Sequence, residues 1–175
     1  MRRFIILALL AWPAMAQEIK LDQLDHLAAK ASETVNVTLD AGLLRMATKM
    51  MDDDSDSAEV KKLVSGLKGI SIRSFEFKNA GEYLAADVES IRTQLKDPEW
   101  KRIVQVRSKT DGDSDVYLHT IAGRIEGITV INAEPKQLTI VSITGPIDAE
   151  GLKKLGGNFG IPKAGKKKAE KEKDE

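Results

Sequence analysis

Four segments of alternating apolar and polar residues follow one another between Trp100 and Thr144 with almost no chain between them. They cover 100–107, 115–122, 127–132 and 137–144, and they are rich in β-branched and aromatic residues. Strands this close in sequence must pair antiparallel, because a parallel partner requires a crossover of about a dozen residues or more. Asp111-Gly112 is a strong hairpin signal and Pro135-Lys136 starts a further turn. The C-terminal half therefore reads as a four-stranded meander. Its last strand, Leu138-Thr139-Ile140-Val141-Ser142-Ile143, is apolar on both faces over part of its length, which places it centrally.

Upstream, helical periods dominate. Leu21, Leu24, Leu27, Ala28 and Ala31 predict a first amphipathic helix. Val35, Val37 and Leu39 alternate as a strand with one buried face. Asp40 is placed to cap a second helix with an apolar stripe of Leu43, Leu44, Ala47, Met50 and Met51. After Asp52-Asp53-Asp54-Ser55-Asp56, the pair Asp56 and Glu59 has capping-box spacing for a helix through Val60, Leu63, Val64 and Leu67, which Gly69 stops. In 70–77 the apolar parity changes from Ile70 and Ile72 to Phe75 and Phe77, so a bulge near Arg73-Ser74 is expected. Asn79 and Glu82 form a second capping-box pair before Leu84, Val88, Ile91 and Leu95, and Asp97-Pro98 ends that helix. Asp148 is expected to cap a short last helix carrying Leu152 and Leu155. Helices first and strands later predict an α+β fold, a mainly antiparallel sheet with helices packed on one face.

The first sixteen residues, MRRFIILALLAWPAMA, set the expected compartment. Arg2 and Arg3 precede an apolar run from Phe4 to Trp12, Pro13 breaks it, and Ala14-Met15-Ala16 has the small-x-small pattern of a cleavage site before Gln17. The expected organisation is a cleaved signal peptide (1–16), one α+β domain (17–160) and a disordered Lys/Glu-rich tail (161–175). The alternative is an uncleaved signal that serves as an N-terminal anchor. With no cysteine in the chain, thiol catalysis, disulfides and thiolate metal sites are excluded, and no lipid anchor can follow the cleavage site. No later apolar run approaches the roughly twenty residues of a membrane span. The expected location is the periplasm or the medium.

Charge narrows the partners. Setting aside Arg2, Arg3 and the six lysines and four acids of 163–175, the rest carries 19 basic and 23 acidic residues. A mildly acidic domain is a poor match for a phosphate backbone, so no nucleic-acid partner is expected.

The stretch DVYLHTIAGRIEGITVINAEPKQLTIVSITGPID over 115–148 resembles the bacterial family called domain of unknown function 4252. It shares that family's hairpin with a hydrophilic turn and its ITG- or ISG-like triplet, here Ile143-Thr144-Gly145. The segment ISIRSFEF over 70–77 and the helix after it are also similar, and the resemblance spans 21–155. It implies exported bacterial proteins, some with a lipid anchor, with no established activity or catalytic residues. Some members are encoded beside sigma-factor and anti-sigma genes, which implies a link to envelope regulation.

Candidate chemistry is sparse. Asp111, Asp113 and Asp115 form a D-x-D-x-D turn, and Asp52, Asp53, Asp54 and Asp56 a second acidic cluster. A calcium-binding EF-hand then needs Gly at position six and Glu at twelve, where these clusters have Val116 and Ala122, or Ser57 and Leu63. Both read more simply as a polar turn and a solvated link, and no metal or cofactor is expected. His26 is expected at the surface. His119 reads as a structural strand residue, since no G-x-S-x-G or other nucleophile elbow accompanies it. Gly156-Gly157-Asn158-Phe159-Gly160 lacks the G-K-[ST] ending of a phosphate loop, and the Lys166-Lys167-Lys168 run is diluted by acids. Met50 and Met51 read as core fill, in place of a partner groove built with Met46. A non-enzymatic binding module for an envelope protein is therefore the expected function. A small-molecule or lipid carrier is the alternative, and a hydrolase centred on His119 comes third.

Overall fold

The computed structural model describes residues 19–51 and 55–148. Among them the elements run in the order 3-10 helix Asp22–Ala29, β1 Glu33–Asp40, α1 Ala41–Lys49, α2 Ser55–Gly66, β2 Gly69–Glu76, α3 Ala85–Gln94, β3 Trp100–Ser108, β4 Gly112–Ile121, β5 Arg124–Glu134 and β6 Gln137–Thr144. The strands form one antiparallel sheet in the order β1-β2-β6-β5-β4-β3. The fold is α+β, with the meander β3 to β6 that the short links dictate. β6 lies between β2 and β5, and its apolar residues serve both faces, Leu138 and Ile140 one core, Val141 and Ile143 the other. The expected signal peptide with its cleavage residues Ala14, Ala16 and Gln17 lies outside the described residues. So do Asp52 to Asp54, the capping side chains of Asp56 and Glu59, the expected last helix and the tail.

Both faces of the sheet are covered, which departs from the expected single helical layer. On one face Leu24 and Leu27 of the 3-10 helix and Val88, Ile91 and Leu95 near α3 pack on Phe75, Phe77, Trp100, Tyr117, Ile131, Leu138 and Ile140. On the other, Leu44 of α1 and Leu67 after α2 pack with Val116, Ile128, Val130, Ile143 and Ile147. Two cores remove the need for a bulge in β2. The β1–β2 and β2–β6 registers are continuous through Arg73-Ser74, with Ile70 serving one core and Phe75 and Phe77 the other. The parity change in the sequence reflects a strand that is apolar on alternate sides at its two ends.

Further expectations are corrected. The first helix is 3-10, and a three-residue turn aligns Leu21, Leu24 and Leu27, all buried, better than an α-helical period does. β1 is an edge strand, so its apolar side is only partly covered and Val35 is 41% exposed. Asp40 does cap α1, accepting from Leu43 N at 2.8 Å. Of that helix's stripe, however, Leu44 alone is buried, while Leu43, Ala47 and Met50 are exposed. Asn79 and Glu82 bond to each other in the preceding turn and cap nothing; the Asp87 carboxylate instead accepts Leu84 N at 2.7 Å. Leu84 is exposed there, outside the helix's buried face.

Two glycines are dictated by geometry. Gly112 closes the β3–β4 hairpin at φ +91°, and a Cβ there would collide with the Ala133 carbonyl oxygen. Gly145, which ends the Ile143-Thr144-Gly145 triplet, has φ +123°, and a Cβ would lie 2.7 Å from the Leu67 Cα. There the Thr144 carbonyl accepts Lys68 N and Gly145 N donates to the Glu126 carbonyl. The triplet thus ties the end of β6 to the α2–β2 connection.

Candidate functional site

Strand parity turns Asp115 inward. It lies on the same side of β4 as Tyr117 and His119, opposite Gln105 of β3 and Ile131 of β5, and it is completely buried. A buried carboxylate is costly unless charges and hydrogen bonds replace its lost hydration. Arg92, one residue after the buried Ile91 of α3, supplies two donors to Asp115 Oδ2, Nε at 2.9 Å and Nη2 at 2.6 Å. Arg107 Nη2 donates at 2.9 Å to Oδ1, and Arg102 Nη1 lies 3.7 Å from the same oxygen. With its amide oxygen turned towards them, Gln105 accepts from Arg107 Nη2 at 2.8 Å and Arg102 Nη1 at 3.2 Å. Glu89 and Asp113 complete the cluster, Glu89 bonding Arg92 Nη1 at 2.8 Å and Asp113 lying 3.5 Å from Arg92 Nη2 and 3.4 Å from Arg107 Nε. Burial alone would lower the Arg92 pKa. The hydrogen bonds and charges of Glu89 and Asp115 outweigh that effect and raise it above its ordinary value.

Over this cluster opens a cleft of about 400 Å³ between α3 and the β3–β4 hairpin. Arg92, Lys96, Arg102 and Arg107 surround it, with Glu89 at one side and Leu95, Trp100 and Tyr117 as its apolar lining. Four cations face three acids, Glu89, Asp113 and Asp115, which leaves one positive charge in excess. Arg92 and Arg107 are held by direct bonds to Asp115. Arg102 is 41% exposed at the side chain, and Lys96 forms no ion pair with a described residue. The cleft can thus hold a carboxylate by charge and an adjoining apolar group by contact.

A family described as a domain of unknown function, DUF4252, matches residues 29–155, most of the chain. The chain belongs to this family. The matched range contains all six strands, the three α-helices and the cleft of this DUF4252 domain. No curated protein matches it.

The residues singled out in the sequence fall into different surroundings in the DUF4252 domain. Asp111, Asp113 and Asp115 are not brought together. Asp111 accepts from the Ser108 hydroxyl at 3.0 Å in the turn, and the other two face arginines. Among the described residues no group of three acids or histidines is arranged as a metal site. His119 is buried, stacks on Trp100 with ring centroids 4.7 Å apart, and places Nε2 3.1 Å from a Glu99 carboxylate oxygen. It braces Trp100, which lines the cleft. His26, half exposed, bridges the 3-10 helix to α3 through Asp87 at 3.1 Å.

Sequence reasoning missed Arg92, Arg102 and Arg107. The signal was present in the hairpin register, since a turn at Asp111-Gly112 sets Arg107 opposite Asp113 and Gln105 opposite Asp115. A charged residue at an inward strand position demands a partner.

Proposed function

We propose that this DUF4252 domain is an exported, non-enzymatic binding module of the bacterial cell envelope. Its cleft receives an acidic segment of a protein partner. The observation that carries this reading is the cationic excess beside Trp100, Tyr117 and Leu95, with Arg102 and Lys96 open to a carboxylate. A cleft of about 400 Å³ suits one or two side chains of such a segment. The signal-like start, with Arg2 and Arg3 before an apolar run and Ala14 and Ala16 at the cleavage position, supports export to the periplasm or medium. No helix among the described residues is long and apolar enough to cross a membrane. Fully buried Leu24, Ile91, Ile131, Leu138 and Ile140 fill one face of the sheet, so a lipid-sized apolar carrier has less support.

A photo-crosslinking residue in place of Glu89, which lines the cleft without adding to its positive charge, used in envelope preparations of the native cell, tests the reading. The expected product joins position 89 to a peptide containing Asp or Glu, and Arg102→Glu abolishes it. A product that survives Arg102→Glu, or the absence of any product, overturns it.

A further inference from the structure

The two edges of the sheet are built differently, and among the described residues nothing pairs with or covers one of them. β3 carries Lys101, Arg102 and Arg107 and breaks register between Arg102 and Val104, devices that keep an edge from pairing with another chain. β1, at the other edge, reads Glu33-Thr34-Val35-Asn36-Val37-Thr38-Leu39-Asp40. It has no Lys, Arg or Pro, and its register with β2 is unbroken over all eight residues. Val35 on it is 41% exposed.

The direction of its free hydrogen-bonding groups follows from β2. Phe77, continuing the β2–β6 register, donates its N–H to the Lys136 carbonyl, so odd-numbered residues of β2 bond towards β6 and even-numbered ones towards β1. Val35 and Val37 oppose Ser74 and Ile72, so their backbone groups are used by β2. Thr34, Asn36 and Thr38 therefore direct N–H and C=O groups out of the sheet.

We infer that β1 pairs antiparallel with β1 of a second copy of this chain, about a two-fold axis at Asn36, to join two sheets into one of twelve strands. The strand is self-complementary in that register. Asn36 meets Asn36 of the partner copy and Thr34 meets Thr38, both pairs through the outward groups, while Val35 faces Val37 as a close non-hydrogen-bonded pair. No charged residue lies opposite a like charge. Asp40 stays clear of the pairing and free to cap α1. A head-to-tail contact of β1 with the β3 edge would match acid to base, but it meets the bulge and builds an open fibre where the two-fold closes.

The test uses light scattering and a single introduced thiol, since the chain has no cysteine. The purified protein has twice the single-chain mass, and Asn36→Pro, which removes the central outward donor, returns it to one chain with an unchanged circular dichroism spectrum. Should that variant misfold, Val35→Lys places a charge on the same edge and gives the same drop in mass. Asn36→Cys crosslinks to a dimer on oxidation, its Cα atoms standing about 5.5 Å apart across the axis, within disulfide reach. Lys101→Cys on β3 does not. A wild-type mass of one chain at every concentration overturns the inference, as does a mass growing beyond two. Crosslinking through Lys101→Cys in place of Asn36→Cys also overturns it.

Discussion

Replacing Asp115 with Ala tests whether the buried carboxylate organises the cleft. Its side chain is fully buried and receives direct bonds from Arg92 and Arg107, with Arg102 beyond. The three cations differ in what they can do once it is gone. The Arg107 and Arg102 side chains are 37% and 41% exposed and can turn to water, whereas Arg92 is 14% exposed and cannot fully rehydrate. One buried charge is stranded, which costs about 3–5 kcal/mol, and the lower end applies because Glu89 still holds Arg92. For a domain of this size that corresponds to a fall in Tm of roughly 10 °C. Urea unfolding followed by circular dichroism reads it directly, as a lower midpoint at unchanged slope. The double variant Asp115→Ala/Arg92→Met removes the stranded charge and is more stable than Asp115→Ala alone. A loss below about 1 kcal/mol for Asp115→Ala, the range of surface ion pairs, refutes the reasoning, as does a double variant less stable than the single one.

Other consequences are as direct. Gly145→Ala forces a side chain into a left-handed backbone and against Leu67 Cα, and it lowers stability by more than about 1 kcal/mol in the same urea assay. Burial, followed by the charges of Asp113 and Glu134, raises the Tyr83 pKa above its ordinary 10. The folded state therefore keeps a proton that the unfolded chain releases, so stability falls as pH rises beyond about 10, and Tyr83→Phe flattens that slope in alkaline melts. Sequencing the N-terminus of the protein recovered from the envelope yields Gln17 first; a chain still beginning at Met1 contradicts cleavage.

The sequence revealed most where contacts are local. Short links set the meander, and Asp111-Gly112 set its first turn because only Gly tolerates the approach to Ala133. The placement of β2 between β1 and β6 depends on pairings such as Ile70 with Ile143, far apart in the chain, and no local pattern encodes them. The same distance hid the second helical layer, so Ile70 and Phe75 looked like one face with a bulge when they serve two cores. At the cleft, Asp115 resembled an exposed turn acid because Arg92 approaches it from a separate helix. Exposure of Met50 was equally illegible, since an apolar stripe does not say whether anything covers it.

Binding of a partner in the cleft is read by NMR from backbone amide shifts as an acidic peptide, taken from the crosslinked partner, is added. Shifts concentrate at Lys96, Trp100, Arg102, Arg107 and Tyr117 and are lost in Lys96→Ala/Arg102→Ala if the cleft is the binding site. Shifts centred on β1 and α1, or equal binding by that double variant, contradict it.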